Sequence, residues 1–461
     1  MRALLRGHAA TVLVAALAAA FGVALLGAIQ ILTIALAAAI GPLGSMAIVL
    51  DIMALVFVAI TIYVAAIVTT NTVATIVAGR IREIALVRLL GASARSQRIR
   101  IAREGLAAGG LGALIGTAAA CALLAAFVLI GEASALLRAA TYAFLVPAMA
   151  LPVVAVVLTT WLAAWLGSRR VLVVTPVEAL GAAVPAEPAA RSRRGRAAAA
   201  WILVGGGALL LALGALVGQS TPFGVLIGIV GGILSFTGVM VGSVLFVPPL
   251  LALVGRAFGR GPAATLGVRN ALRYPERSAR AAIGLVIGVG LVTMFTVAGL
   301  TANEITRQRA AVEFGESAGM DGVFAMLLGI LAVLVGFSAV IAAVGFVNTL
   351  TAGVLQRTRE FGLVRALGLA ARQLRATISI EAAQLAATAI VSGFLLGVAY
   401  GWAGAQALFG AVQVAGLVPP VVPWWLAAAL VGAAALLALV GSLVPARRAL
   451  RIVPVEALAA E

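Results

Sequence analysis

The sequence predicts an all-α polytopic membrane protein: about ten transmembrane helices in two parallel four-helix repeats, joined by a two-helix linker, with both termini cytoplasmic. Three observations predict it: long apolar runs in an apolar composition, arginines confined to alternate connections, and a polar segment that occurs twice. Of 461 residues, 64% are hydrophobic and 10% charged, with a mean hydropathy of +1.19. A soluble domain is about 25% charged, so this chain must keep most of its surface out of water. Runs such as 9–40, 223–254 and 281–301 exceed the roughly 20 residues that a helix needs to cross the hydrocarbon layer. Alanine, leucine, valine and glycine dominate them, without the ten-residue alternation of a membrane barrel.

Charged or turn-rich breaks divide the runs into candidate helices at 9–40, 46–79, 104–130, 142–167, 198–219, 222–254, 280–302, 322–355, 378–404 and 424–445. The fifth, apolar over 201–217, reaches crossing length only with its flanks. Arginine orients them. All 32 basic residues are arginine, and the sequence has no lysine. Arg2 and Arg6 precede the first helix. Seven arginines follow at 80–103, six at 169–196, six at 256–280, five at 357–375 and three at 447–451. Twenty-nine thus fall on one side, and Arg138, Arg307 and Arg309 on the other, so the positive-inside rule places the first side in the cytoplasm. Threading 80–103 through the bilayer instead would bury seven arginines at about 2.5–3.5 kcal/mol each. The other side is nearly bare: the connections near 41–45, 219–222 and 405–423 carry no basic residue, and Trp424 and Trp425 suit an interfacial aromatic belt. Its longest polar segment is 301–321.

Several functions are excluded. The net charge of +17 sits at membrane edges, and the arginine run in 181–199 reads as contact with anionic lipid, not nucleic acid. Without lysine there can be no GxxxxGK[ST] phosphate loop, so nucleotide hydrolysis must occur on another chain. Cys121 is the single cysteine and His8 the single histidine, too few converging donors for a metal site; no disulfide forms within the chain. The first run is too long for a signal peptide and is expected to be a membrane helix. Asp51, near the outer end of the second helix, is a lone acid and weak support for proton coupling.

The repeat is direct. Asn71, Arg82, Glu83, Leu86, Val87, Arg88, Leu90, Gly91, Arg95, Glu104 and Gly116 recur 277 residues later as Asn348, Arg359, Glu360, Leu363, Val364, Arg365, Leu367, Gly368, Arg372, Glu381 and Gly393. PVEAL at 176–180 recurs at 454–458, and Arg169-Arg170 is answered by Arg447-Arg448. Both copies lie on one side, so the repeat is parallel, with its pseudo-axis along the membrane normal. Helices one to four match seven to ten, and helices five and six link them. The expected division is 1–180, a cytoplasmic linker at 181–199, two linking helices in 200–255, and a second unit at 256–461.

An RE-apolar-GLVRALG-type segment between two membrane helices, with a glutamate opening the next, resembles the FtsX-like (MacB/LolC-type) ABC transporter permeases. The lead-in RNALRYPERSARAAIGL at 269–285 and the PVEAL tails are similar to that family too. Segments 82–93 and 359–370 should each form a short helix along the cytoplasmic face, with Ile84, Val87 and Leu90 at helical spacing and a left-handed stop at Gly91 and Gly368. The resemblance implies that these are coupling helices, bearing Arg82, Glu83, Val87, Arg88 and Gly91 in one copy and Arg359, Glu360, Val364, Arg365 and Gly368 in the other. Taken singly, each could be an ordinary solvated amphipathic turn. Glu104 and Glu381, near the starts of helices three and nine, are either hinge-like ion-pair partners, with Arg100 one turn before Glu104, or carboxylates solvated among headgroups. Glycine pairs Gly112/Gly116, Gly228/Gly232, Gly284/Gly288 and Gly393/Gly397 allow close helix approach.

The resemblance implies a multi-pass permease subunit in a bacterial cell membrane, with no cofactor of its own. ATP and magnesium would sit on a partner ABC ATPase, in two copies, and membrane lipid and an extracytoplasmic protein are further expected partners. The family's large extracytoplasmic domain is missing between the first two helices of each unit. That departure weighs against a direct carry-over of lipoprotein capture, force transmission to a periplasmic partner or peptide sensing. The resemblance implies export or extraction of a hydrophobic or amphiphilic substrate, or transmembrane force transmission, and the apolar outer face favours a lipid-like substrate entering from the bilayer. Two alternatives stand: a parallel-repeat secondary transporter, which needs polar groups near the midplane, and a non-transporting regulator of an envelope enzyme.

Overall fold

The computed structural model of the chain describes residues 2–40, 44–79, 93–134, 146–168, 190–258, 262–273, 275–314, 370–412 and 416–433, and a few isolated positions besides. Every regular element among them is helical. The first unit holds α1 (Arg2–Ile40), α2 (Ser45–Gly79), α3 (Ala94–Ala133) and α4 (Ala150–Gly167). A hairpin of α5 (Ala190–Val217) and α6 (Gly224–Val241) follows, then α7 (Ser243–Gly255) and α8 (Pro262–Arg273). The second unit holds α9 (Pro275–Phe314), α10 (Ala371–Phe409) and α11 (Trp424–Ala433). Eight described helices, α1 to α6, α9 and α10, are long and apolar enough to cross a membrane. The chain is thus a multi-pass helical membrane protein. The crossing expected at 322–355 lies almost wholly outside the described residues, and that at 424–445 is described mainly over α11.

Several helices differ from the hydropathy reading, each for a local reason. α3 begins at Ala94, ten residues before its apolar stretch, because the intervening arginines, glutamine and alanines are good helix formers. Ser93 caps it, its Oγ accepting from the Ser96 amide at 3.1 Å. The expected sixth crossing is broken in two at Gly242, where a Cβ would lie 2.6 Å from the Phe246 ring and 2.9 Å from the Ala200 Cβ. α9 continues to Phe314, well past the apolar boundary at 302, and α5 starts at Ala190, so the second half of the polar 181–199 stretch is helical.

Duplication is visible in the helices themselves. α3 and α10 start 277 residues apart and end within one residue of equivalent positions. At the start of α10, Ala370 has no capping side chain; its amide instead donates to Gln373 Oε1 at 3.0 Å. In each unit the first helix packs along the third. A Cβ on Gly112 would lie 2.6 Å from the Val12 carbonyl oxygen, and one on Gly116 would overlap the Ala16 carbonyl oxygen. The second unit repeats this at Gly393, where a Cβ would lie 3.0 Å from the Gly290 nitrogen, and at Gly397, 2.7 Å from the Gly290 oxygen. Glycine is required at these places because lipid is as apolar as leucine, and helix association relies on close backbone approach.

The equivalent helices α1 and α9 are the most buried spans, while α3, α4 and α5 expose much of their surface. The units meet at a core of Phe21, Leu25 and Leu32 from α1, Leu50 and Val64 from α2, and Ile287, Leu291 and Phe295 from α9. Phe295 packs edge-on against Phe57 with centroids 5.8 Å apart, and its ring lies 6.1 Å from that of Phe21. A second core joins α7 to α11 through Leu251, Leu285, Leu385 and Leu426.

Candidate functional site

Three regions can carry function: the duplicated polar segments, the helix ends beside them, and the space between the units. Of the coupling-segment residues, Arg82, Glu83, Val87, Arg88, Gly91, Arg359, Glu360, Val364 and Arg365 lie outside the described residues. Gly368 is described. It has φ +98° with nothing within 4 Å of where a Cβ would sit, so backbone conformation, rather than space, demands glycine there.

The arginine-bearing helix ends are held to one another. Glu104 pairs with Arg100, whose Nε lies 3.0 Å from Oε1. Both residues belong to the uninterrupted α3, and Glu104 sits ten residues inside it, not at its start. The pair therefore braces one helix. Arg98, on the same stretch, places its guanidinium 4.9 Å from the Trp165 ring centre and donates to Ser168 Oγ at 3.4 Å, tying α3 to the end of α4. Position 377, which answers Arg100, is threonine, and Glu381 is held differently: Asn270 Nδ2 of α8 donates to its Oε2 at 2.7 Å. α8 lies close over α10 here, since a Cβ on Gly267 would meet the Thr377 oxygen at 3.1 Å. One turn deeper, the fully buried Gln384 donates to the Leu251 carbonyl of α7 at 2.7 Å.

The opposite ends are tied too. Gln406 Nε2 and Trp402 Nε1 both donate to the Val418 carbonyl, at 2.7 and 2.8 Å, and the Val421 amide donates to Thr301 Oγ1 at 3.1 Å. Trp424 is 82% exposed at the start of α11, free to lie at an interface. Asp51 is exposed, and Cys121 is a half-buried free thiol on α3.

Between the units the helices do not close fully. Two adjoining cavities of about 150 and 190 Å³ lie among α2, α6, α9 and α10. Tyr63 and Tyr400 face them from opposite units, and both grip α6. The Tyr63 hydroxyl donates to the Ile233 carbonyl at 3.1 Å and lies 2.8 Å from Thr237 Oγ1, while Ser235 Oγ donates to the Tyr400 hydroxyl at 2.9 Å. The linking hairpin is thus a wall shared by both units. Asn270, Gln384 and the two tyrosines escape sequence reasoning because their partners are 111 to 174 residues away. Asn270 alone had a signal, lying within the family-like lead-in.

Two units that repeat the packing of their first and third helices, joined around a divided core, define a duplicated multi-pass membrane protein. The family description "FtsX-like permease C-terminal" matches residues 55–176 and 332–454, more than half of the chain, at the offset of the internal repeat. The chain belongs to the FtsX-like permease family, whose members are non-catalytic membrane components that generally work with an ABC ATPase. No curated protein matches the chain.

Proposed function

We propose that the chain is the membrane subunit of an ABC transporter, coupling ATP hydrolysis on a separate ATPase to export or extraction of a hydrophobic or amphiphilic substrate. The observation that carries this reading is the family match made twice, at the repeat offset, within one chain. With units at 1–180 and 256–461, joined by 181–199 and the helices of 200–255, one chain supplies a pseudo-twofold core. Two ATPase copies dock on its cytoplasmic face in a bacterial cell membrane, and both termini face them. Arg82, Glu83, Val87, Arg88 and Gly91 engage one copy; Arg359, Glu360, Val364, Arg365 and Gly368 engage the other. ATP and magnesium stay on those partners, as a chain without lysine requires. Closure of the ATPase pair moves α3 and α10; Arg98 passes that motion to α4 and Glu381 passes it to α8, while the Arg100–Glu104 pair stiffens the moving end of α3. The apolar space between the units supports an amphiphile over a soluble cargo.

The test is co-purification with a tagged ABC ATPase encoded beside this gene, followed by ATPase assay in proteoliposomes. The expected result is a stable complex whose hydrolysis rises with an amphiphile. A chain that binds no nucleotide-hydrolysing partner, or a complex that moves soluble cargo with no lipid dependence, refutes it.

A further inference from the structure

We propose that the paired cavities between the units form a binding site for one linear amphiphile, with its alkyl tail beside α6 and a neutral hydrogen-bond-donor head at Asn303. This rests on the permease reading above and gives its substrate class a place and a shape.

The shape comes first. The two cavities share Val56, Ile60, Val225, Met294, Tyr400 and Gly404, so they adjoin. Their lining runs along α9 from Ile287 to Thr306, roughly 28 Å at 1.5 Å per residue. The space is long and narrow, which suits a chain better than a compact apolar molecule. Each cavity is at least as large as the roughly 150 Å³ apolar cavities of soluble proteins that stay dry and admit benzene. The medium around the helices is hydrocarbon, so the entering molecule is a lipid-like chain rather than water.

The glycines show that this space is built. Gly228, Gly232, Gly290 and Gly404 line it. A Cβ on them would come no nearer than 3.7 Å to any neighbour, and at Gly404 nothing lies within 4 Å. At Gly116 and Gly397, by contrast, a Cβ would run into the backbone of the facing helix. Glycine in a helix interior costs about 1 kcal/mol relative to alanine. Gly228 and Gly290 also let a neighbouring helix approach, but the place of each one's own Cβ is uncrowded, and at Gly404 it is empty. Their missing side chains make the room.

Chemistry supplies the orientation. At the end lined by α1, α2 and the later turns of α9, the Asn303 side chain joins the lining with Thr306. Asn303 Oδ1 is buried and accepts no hydrogen bond among the described residues, a costly state for an amide oxygen. A hydroxyl or N–H on the ligand's head would satisfy it once the side chain turns its buried oxygen toward the space. Elsewhere the lining is apolar apart from the tyrosine hydroxyls, both already bonded to α6, so the tail meets no charge.

The experiment uses the full chain in nanodiscs without any ATPase, so its outcome is separate from whether a partner binds. The probe is hexadecanol with a diazirine in mid-chain, compared with its methyl ether, which lacks the donor; cross-links are mapped by mass spectrometry. Wild type should label on α6, α9 and α10 at the lining, more strongly with the alcohol than with the ether. Filling the space by Gly404→Leu, or independently from the linker by Gly232→Leu, should cut this labelling about tenfold or more, as loss of several buried methylene contacts implies. Asn303→Leu should bring the alcohol down to the ether's level. The size-exclusion profile identifies any variant that fails to fold, and the remaining one then decides. Labelling confined to the lipid-facing Leu209 and Leu213, or unchanged in the folded glycine variants, overturns the site. Equal labelling by alcohol and ether in wild type overturns the assigned head.

Discussion

Replacing Gly116 by alanine tests the packing of the first unit at its closest point. The new Cβ would overlap the Ala16 carbonyl oxygen and lie 2.8 Å from its carbon and 3.0 Å from its Cα. All three obstacles are backbone, so no side-chain rotation relieves them and α1 must move away from α3. Overpacking of this kind costs about 1–3 kcal/mol, and the upper part of that range applies here because the obstacle is rigid. Alanine returns up to about 1 kcal/mol of helix propensity, leaving a net loss of about 1–2 kcal/mol. Gly110→Ala, six residues earlier on the same helix, is the control: nothing lies within 4 Å of its Cβ, so it should be neutral or stabilising by up to about 1 kcal/mol. Equilibrium unfolding in mixed detergent micelles containing SDS, followed by circular dichroism, should separate the two variants by about 2–3 kcal/mol. If Gly116→Ala proves as stable as Gly110→Ala, the backbone contact between α1 and α3 does not exist and the reasoning fails.

Gly393→Ala should destabilise less than Gly116→Ala, because its nearest obstacles are Val289 side-chain carbons at 2.9 Å; the same unfolding assay ranks them. Asn270→Ala removes a hydrogen bond to the Glu381 carboxylate, worth about 1.5 kcal/mol, and should speed amide exchange across α8 with little change in α3. Glu381→Gln keeps an acceptor oxygen and should leave that exchange near wild type. Arg98→Ala should cost about 0.5–1 kcal/mol through loss of the Trp165 contact, read as a lower unfolding midpoint, and Arg98→Lys should restore only part of it. Charge reversal at Arg88 or at Arg365 should each weaken co-purification of the ATPase, and the double reversal should abolish it; a double variant that still binds fully removes those residues from the contact.

The helical class and the internal repeat could be read from the chain because each rests on local composition or on spelling. A charged segment such as 80–103 cannot hide in a bilayer, and Glu104 and Glu381 are recognisable as one residue occurring twice. Only the partner of Glu104 could be read. Arg100 lies one turn from Glu104, but the equivalent position is Thr377, and the Asn270 that replaces it comes from a separate helix. Glycine spacing was equally ambiguous. Gly112/Gly116 and Gly228/Gly232 have the same four-residue interval, yet a Cβ on either of the first pair would run into backbone, while on the second pair it would only touch a side chain at 3.8 or 4.0 Å. Inside a membrane, apolar surface against lipid and apolar surface against protein look identical in hydropathy. The centrality of α1 and α9 and the gap between units therefore had no counterpart in composition.

The unequal anchoring of the paired glutamates has a mechanical consequence. A pull on the arginine-bearing end of α3 is shared with α4 through Arg98, Trp165 and Ser168. The same pull on α10 is delivered to α8 through Asn270, and through Gln384 to α7. Halves descended from one ancestor are thus strung to different neighbours, and identical tugs at their two ends would bend the molecule lopsidedly.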